Sequence, residues 1–411
     1  MNKKKVVLIS SGQPSLNPRL VKEADTLAAN GYDVTVLYSY WNDWGTEFDK
    51  ILLPTKRWKA ICIGGDPKHK RLPYFVSKLI HKGARLINNK FHGQKFAEFA
   101  IARNAYFMFR TAKRHDADFY IGHNLGALPA LVNAAIKNKK PCGFDAEDFH
   151  RNEVSDDPNH SDVILKTCLE NKYFPKLDYL STSSPAIASA YREIFPKNEF
   201  SVLLNVFPWV STIRKPVANV NAPIRLLWFS QTIGIKRGLE DAVKALTQLK
   251  DHPFELHLLG HLPEDAQANY IVKLISEENL NVHIHKPIPP DELTQFSSRF
   301  DIGLALEPGF SNNNNMALSN KIFTYLQSGL AVVASDTTAQ SWLLGNYPQI
   351  GKVYKKGVPN NLADILLYYH LHRDELFKTR LAAFDVARTE LNWENESEKF
   401  LGIVNQTLSR G

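Results

Sequence analysis

The chain alternates between two periods, and it does so twice. KVVLIS (5–10) is a short β-branched run, NPRLVKEADTLAANG follows with helical spacing, and DVTVLYS (33–39) returns to a strand. In the helical stretch Asn17 can cap, Pro18 suits the first turn, Leu20, Ala24, Leu27 and Ala28 recur on one face, and Gly31 stops the run. A strand, helix and strand in this order imply a right-handed parallel crossover. DFYIG (118–122), PCGFDA (141–146), LDYLSTS (177–183) and FSVLLN (200–205) extend the series, with helices ALPALVNAAIK and SPAIASAYREIF (184–195) between them. Residues 205–223 then lose all periodicity and gain prolines, the signature of a linker. The alternation restarts with IRLLWFS (224–230), FELHLLG (254–260), NVHIHK (281–286), DIGLAL (301–306) and LAVVAS (330–335). RGLEDAVKALTQL carries Leu239, Ala242, Val243 and Leu246 on one helical face.

Two such series predict an α/β fold of two doubly wound Rossmann-like domains facing a central cleft. The expected boundaries are 1–204, a linker at 205–223, 224–385, and a C-terminal helix within 386–411 that packs back on the first domain. A length of 411 residues exceeds one ordinary core and agrees with two domains. SNNNN (311–315) reads as a short mobile loop.

No apolar run reaches the length of a membrane span, and MNKKKVVLISSG reads as a first strand, not a signal peptide. Cys62, Cys142 and Cys168 are widely spaced, which predicts neither a disulfide framework nor a zinc site and places the protein in the cytoplasm. The net charge of +8 is concentrated: residues 56–115 hold fifteen Lys and Arg against Asp66 and Glu98, a local excess of thirteen positive charges. Nine aromatic residues are interleaved there. This stretch reads either as a solvated basic face or as a surface for anionic lipid headgroups on the inner face of the membrane. Nucleic acid is not expected, because no nucleic-acid motif accompanies the charge.

Ligands of open parallel sheets sit beyond the C-terminal strand ends. Four loops lie there. In SSGQPSLNPR (10–19), Gly12 allows close backbone approach, and Ser15, Asn17 and Arg19 offer side chains to an anion or sugar; the alternative is an ordinary capped turn. It is not a dinucleotide fingerprint. In FSQTIGIKRGLEDA (229–242), Lys236 and Arg237 precede a helix, where the macrodipole favours anions. In LSNKIFTYLQSGLAVVASD (318–336), Ser319 or Asn320 caps a helix with Lys321 in its first turn. The repeated anomaly suggests a diphosphate held by two helix N-termini and fixed cations; a solvated charge pair is the alternative. Finally, His123 follows a strand in GHNLGALPA, and FDAEDFHRNE supplies Asp145, Glu147, Asp148 and His150. A histidine beside carboxylates suits acid–base work or a metal, or is a satisfied structural group. No tight metal-ligand spacing is present.

These four stretches, in this order, resemble the landmarks of GT-B glycosyltransferases, and most closely the retaining family-four (group one) branch, from the first strand to about residue 345. The resemblance implies transfer of a sugar from a nucleotide-sugar donor, held by the second domain, to a glycan or lipid-linked acceptor held by the first, in bacterial surface polysaccharide synthesis. It implies no cofactor and no metal. Arg237 matches the cation before the glycine, Gln231 and Thr232 fall near an uncharged counterpart of the family's other cation, and Lys236 can compensate. Lys321 matches the lysine of K-x-x-E-Y-L-x-x-G-x-P. The glutamate of that motif falls at Thr324, and Glu307 is the nearby candidate for the family's other glutamate. The implied catalytic set is His123, Arg237 and Lys321, with Gly12, Gln231, Thr232, Lys236, Glu307, Ser319, Asn320 and Thr324 on the donor and Ser15, Asn17, Arg19, Asp148 and His150 on the acceptor. A sugar-nucleotide epimerase of the same fold and a degenerate, non-catalytic member are the alternatives.

Overall fold

The computed structural model describes residues 3–91, 95–218, 222–263 and 266–410, with the backbone alone over 266–269. The chain divides into two compact units. One comprises Met1–Leu204, Ser311–Asn313 and Glu396–Gly411; the other comprises Asn205–Phe310 and Asn314–Asn395.

The first unit is a seven-stranded sheet of β1 (Lys5–Ser10), β2 (Asp33–Ser39), β3 (Lys59–Ile63), β4 (Phe119–His123), β5 (Cys142–Ala146), β6 (Tyr179–Thr182) and β7 (Phe200–Val202). Their order is β3-β2-β1-β4-β5-β6-β7, and every pairing is parallel. Helices α1 (Pro18–Ala29), α2 (Asp43–Leu52), α3 (Arg71–Lys90), α4 (Leu128–Asn138) and α5 (Pro185–Ile194) are among its crossovers. The second unit is a six-stranded sheet of β8 (Ile224–Thr232), β9 (Phe254–His261), β10 (Val282–His285), β11 (Ile302–Ala305), β12 (Ala331–Ser335) and β13 (Gly351–Tyr354). The order is β10-β9-β8-β11-β12-β13, again all parallel. Helices α6 (Leu239–Thr247), α7 (Asn320–Gln327) and α8 (Arg373–Thr389) belong to it, and α9 (Trp393–Arg410) ends the chain.

Parallel strands are buried on both faces, which is why they read as continuous apolar runs. In the first unit Val6 and Leu8 of β1 pack with Leu20, Ala24 and Leu27 of α1, and Phe400 and Val404 of α9 are buried in the same cluster. Leu204 donates its N–H to Glu396, a buried carboxylate at the start of this tail. In the second unit Leu226 and Trp228 of β8, Leu256 and Leu258 of β9 and Leu304 of β11 share one core. Helix α7 closes as its glycine predicts. Gly329 takes a φ of 67°, and the N–H groups of Leu330 and Gly329 reach back to the carbonyls of Tyr325 and Leu326, a left-handed stop that lets β12 enter the sheet.

Strand order reverses between β1 and β4 in one unit and between β8 and β11 in the other. These switch points define where each unit can hold a ligand. SNNNN is not the loose loop expected from its composition. Asn313, in the first unit, is buried, accepts from the Phe149 N–H and donates to Asp148. Asn314, in the second, is hydrogen-bonded to Gly309 and Glu307. Short amide side chains satisfy backbone groups well, so the run is a set of specific hydrogen-bonding positions. Of the expected linker, residues 219–221 lie outside the described residues, and the described remainder counts with the second unit.

Candidate active site

In the second unit the β8–α6 loop meets the end of β11. Gly238 has a φ of 74°, and a Cβ there would lie 2.2 Å from the carbonyl oxygen of Leu306. Only glycine permits that approach. Arg237, exposed beside it, donates to the Ser230 hydroxyl at 2.9 Å. The residue after Leu306 is Glu307. Its carboxylate lies 2.7 Å from Lys321 Nζ, accepts from Ser319 Oγ at 2.9 Å and accepts from Asn314 Nδ2 at 3.2 Å. The Glu307 carbonyl is fixed by Ser335 Oγ at 2.6 Å, and Gln340 in turn donates to that hydroxyl. Burial works against charge on Glu307, but Lys321 and the two polar donors hold its carboxyl below the usual range. The cation that looked unpaired in the sequence thus has a partner from a neighbouring strand end. An ammonium has three donors, and Glu307 and Ser319 engage two.

Other expected donor-side residues separate. Ser319 is the N-cap of α7 without a side-chain cap bond, because its hydroxyl is turned to Glu307. Asn320, Gln231 and Lys236 are exposed, and Thr232 is half-buried. Lys236 takes a φ of 58° and starts the turn into α6. Thr324 is buried on the inner face of α7, so its position is one for packing and not for a ligand hydroxyl. The carboxylate available beside Lys321 is Glu307.

In the first unit His123 ends β4, opposite Asp145 of β5 in the strand register. It is wholly buried. Its Nε2 lies 3.0 Å from Glu23, and its Nδ1 lies 3.6 Å from Asp145 and 3.8 Å from Glu147. Arg19 completes the cage, 2.5 Å from Asp145 and 3.6 Å from Glu23, also wholly buried. Its guanidinium donates to the Leu203 carbonyl at 2.6 Å. Asp145 accepts from Ser181 Oγ at 2.8 Å. The spacing of Arg19 and Glu23 on α1 turns both toward the sheet. Burial opposes charge on His123, yet Glu23, Glu147 and Asp145 raise its pKa to about 10. Burial and the neighbouring Arg19 lower Lys22 to about 7. Held toward its charged form by three carboxylates and shut off from solvent, the imidazole is not placed to act as a general base. His123 is therefore a structural cation, and not the cleft-facing group expected. Nor do His123, Asp145 and Glu147 suit a metal, although their ligand atoms cluster within 4.8 Å; Arg19 already supplies the cation.

Arg19 is likewise withdrawn from the acceptor side. Asn17 caps α1, accepting from Leu20 at 3.0 Å. Ser15 faces α2, donating from its backbone to Asp49 and from its hydroxyl to Gly45. His150 is buried against Glu153. Asp148 is half-buried, and burial raises its pKa against the pull of His150. Gly12 has room for a Cβ, whose nearest neighbour would be Asn124 Oδ1 at 3.6 Å.

Two features escape sequence reasoning. Asn124, exposed at the end of β4, takes a φ of 61° and accepts from Ser10 Oγ at 2.9 Å. A non-glycine residue held in this region stores strain, which proteins concentrate at functional positions. In the β1–α1 loop, Gln13 anchors a cavity lined by Tyr38, Tyr40, Asp49, Cys62 and Asp66. Gln13 accepts from the Trp41 and Asn42 N–H groups and donates to Asp49. In the sequence Gln13 is marked only by its place in the loop after the first strand.

The fold is that of GT-B glycosyltransferases. A glycosyltransferase from Rickettsia africae superposes with a TM-score of 0.69 at 15% identity over 100% of both chains. Sucrose-phosphate synthase from Thermosynechococcus elongatus gives 0.71 at 13% identity, again over 100% of both. HepE from Anabaena, in complex with UDP, gives 0.67 at 13% identity over 98% of this chain and 100% of that one. Residues 236–402 match the family model described as glycosyl transferase-like, a span that contains Arg237, Glu307 and Lys321. No curated protein sequence matches the chain.

Proposed function

We propose that this protein is a glycosyltransferase that moves a sugar from a nucleotide-sugar donor to a glycan or lipid-linked acceptor, with retention of configuration, in bacterial surface polysaccharide synthesis. The observation that carries this reading is that the loop bearing Arg237 meets, through Gly238 and Leu306, the strand end whose Glu307 holds Lys321, at the β8/β11 switch point and inside the glycosyl transferase-like span. HepE binds UDP and UDP-glucose in its own structures, which makes a uridine nucleotide the first donor to test.

The reaction breaks the bond between the anomeric carbon and a phosphate oxygen and forms one to an acceptor oxygen. Negative charge grows on the leaving diphosphate. Arg237 and Lys321 are prepositioned donors for that charge, and fixed donors of this kind contribute about 3 kcal/mol each. In a front-face retaining path the acceptor proton passes to the departing phosphate, so no side-chain base is required. The enclosed, protonated His123 accords with that path. Glu307 can accept donor hydroxyls while it orients Lys321. The Gln13 cavity and strained Asn124 are the acceptor-side candidates.

The basic stretch supports a membrane-surface role for the first unit. Leu72, Phe75, Leu79 and Leu86 of α3 are all exposed, Leu72 at 76%. Their spacing puts them on one face. Arg71, Lys78, Lys82 and Arg85, also exposed, form a stripe alongside. An exposed apolar stripe flanked by cations suits insertion among anionic headgroups. Among the described residues no helix is long and apolar enough to cross a membrane, so the proposed association is peripheral, on the cytoplasmic face.

Calorimetry against a panel of nucleoside diphosphates and sugar nucleotides tests the donor reading. Saturable binding of one nucleotide, weakened in Arg237→Ala and Lys321→Ala, is expected. Binding of none would favour a degenerate member, and a rearranged sugar nucleotide formed without acceptor would favour an epimerase.

A further inference from the structure

We infer that Glu255, His257 and His283 form a site for a first-row divalent transition-metal ion on the outer edge of the second unit's sheet. Strand β10 is the edge strand, paired to β9 with His283 opposite His257. Residues two apart on a strand share a face. Glu255 and His257 therefore project together from β9, beside His283 and His285 of β10. The ligand atoms of Glu255, His257 and His283 all lie within 4.8 Å of one another.

His257 has one ring nitrogen against an outer partner and the other facing the carboxylate. Its Nδ1 lies 2.9 Å from His285 Nε2. Its Nε2 is buried without a hydrogen-bond partner, and lies 3.5 Å from the Glu255 carboxylate. With Nδ1–H donating to His285, the Nε2 lone pair is the one that would ligate a cation shared with Glu255; without an ion the other tautomer turns Nε2–H toward that carboxylate. The first is the arrangement of a metal-bound histidine, whose other nitrogen donates to an outer partner. His285 is that partner here. Phe300 packs 4.7 Å from His257, and Phe296 packs 5.2 Å from His285, closing one side. His283 is exposed and leaves an entry path. Two imidazoles and a carboxylate suit zinc, cobalt, nickel or copper far better than magnesium or calcium. Glu255 and His257 lie in the first half of β9, away from the strand ends that carry Arg237 and Lys321. The site therefore clips the edge strand to its neighbour and takes no part in transfer.

The test is titration of untagged, chelator-treated protein with zinc, and with cobalt(II) followed by its visible absorption. Saturable binding of one equivalent is expected, resistant to excess magnesium, with a rise in the melting temperature. His257→Ala and His283→Ala should each weaken zinc by at least about tenfold, and His285→Gln by about tenfold through loss of the outer partner. Glu147→Gln, at the other carboxylate–histidine cluster, should leave binding unchanged. Exposed His283 can be replaced without disturbing the core, so folding does not confound that variant. No saturable site, or zinc affinity unchanged in both His257→Ala and His283→Ala, overturns the inference.

Discussion

Lys321 Nζ lies 2.7 Å from the Glu307 carboxylate, and Ser319 Oγ donates to that same oxygen. Helix α7 therefore begins with a fixed cation whose counter-ion comes from the end of β11. A lysine in the first turn is unfavourable toward the helix dipole by a few tenths of a kcal/mol to about 1 kcal/mol. The pair with Glu307 offsets this and holds the ammonium in place.

Removing that cation should affect chemistry more than folding. Lys321→Ala and Arg237→Ala are expected to lower the transfer rate by about 10²–10³-fold each, the scale of losing one donor to a developing anion. Circular dichroism should be unchanged for exposed Arg237→Ala. Lys321→Ala leaves Glu307 without its counter-ion and should also destabilise by about 1–3 kcal/mol. Steady-state rates with the donor found by the nucleotide panel decide the matter, and full activity in both variants would reject the assignment.

The His123 cage makes a pH prediction. Its folded pKa of about 10 lies above its ordinary value of 6.5. The native state therefore binds the extra proton, and the stabilisation is complete below the unfolded pKa. It is lost as pH rises toward and through about 10. Lys22, lowered to about 7 in the same unit, contributes the opposite slope over much of that range, so the readout is the difference: urea midpoints measured from pH 6 upward should fall more, or rise less, with pH in the wild type than in His123→Gln. An identical slope in the variant would mean that another group titrates.

Helix α3 should bind anionic vesicles and not neutral ones. Leu79→Glu, on a stripe residue that is 72% exposed, should reduce co-flotation without changing the melting temperature, since it removes no core contact. Lys78→Glu with Lys82→Glu should do the same and weaken the salt dependence. Equal binding to neutral vesicles would argue against the basic stripe.

Phe400 is wholly buried in the first unit's core. Phe400→Ala should destabilise that unit by about 3–5 kcal/mol, although residue 400 follows nearly all of the second unit in sequence. Protease sensitivity mapped within residues 1–204 would reveal it. Cleavage confined to the second unit would contradict the packing.

The strand cores were legible because parallel strands are apolar throughout: β1, β2, β4, β8 and β12 stand within a residue or two of where their runs predict them. β3 and β13 were missed, and both are edge strands. KAICI is mostly unburied and sits inside the basic stretch, while GKVY has four residues. Among the candidate site residues, Lys321 and Arg237 stand out in the sequence because their charge opposes a helix dipole. Their surroundings do not. Glu307 meets Lys321 across fourteen positions of sequence, and the cage around His123 draws on α1, β4 and β5. Local spacing carries no information on such pairings, so a histidine after a strand looked like a catalytic group when carboxylates enclose it. SNNNN misled in the opposite direction, because low complexity hides the separate hydrogen bonds of Asn313, Asn314 and Asn315.

Helix α9 gives the order of synthesis a physical meaning. Residues 1–204 are synthesised well before Phe400 and Val404 of their core and before Glu396, which receives the Leu204 N–H. Until then the face of β1 and α1 that they cover is apolar and open, whereas residues 205–395 can already close a core of their own. A nascent chain should therefore depend on chaperones longest over residues 1–204, and a product cut short before residue 396 should be the more prone to aggregate through that part.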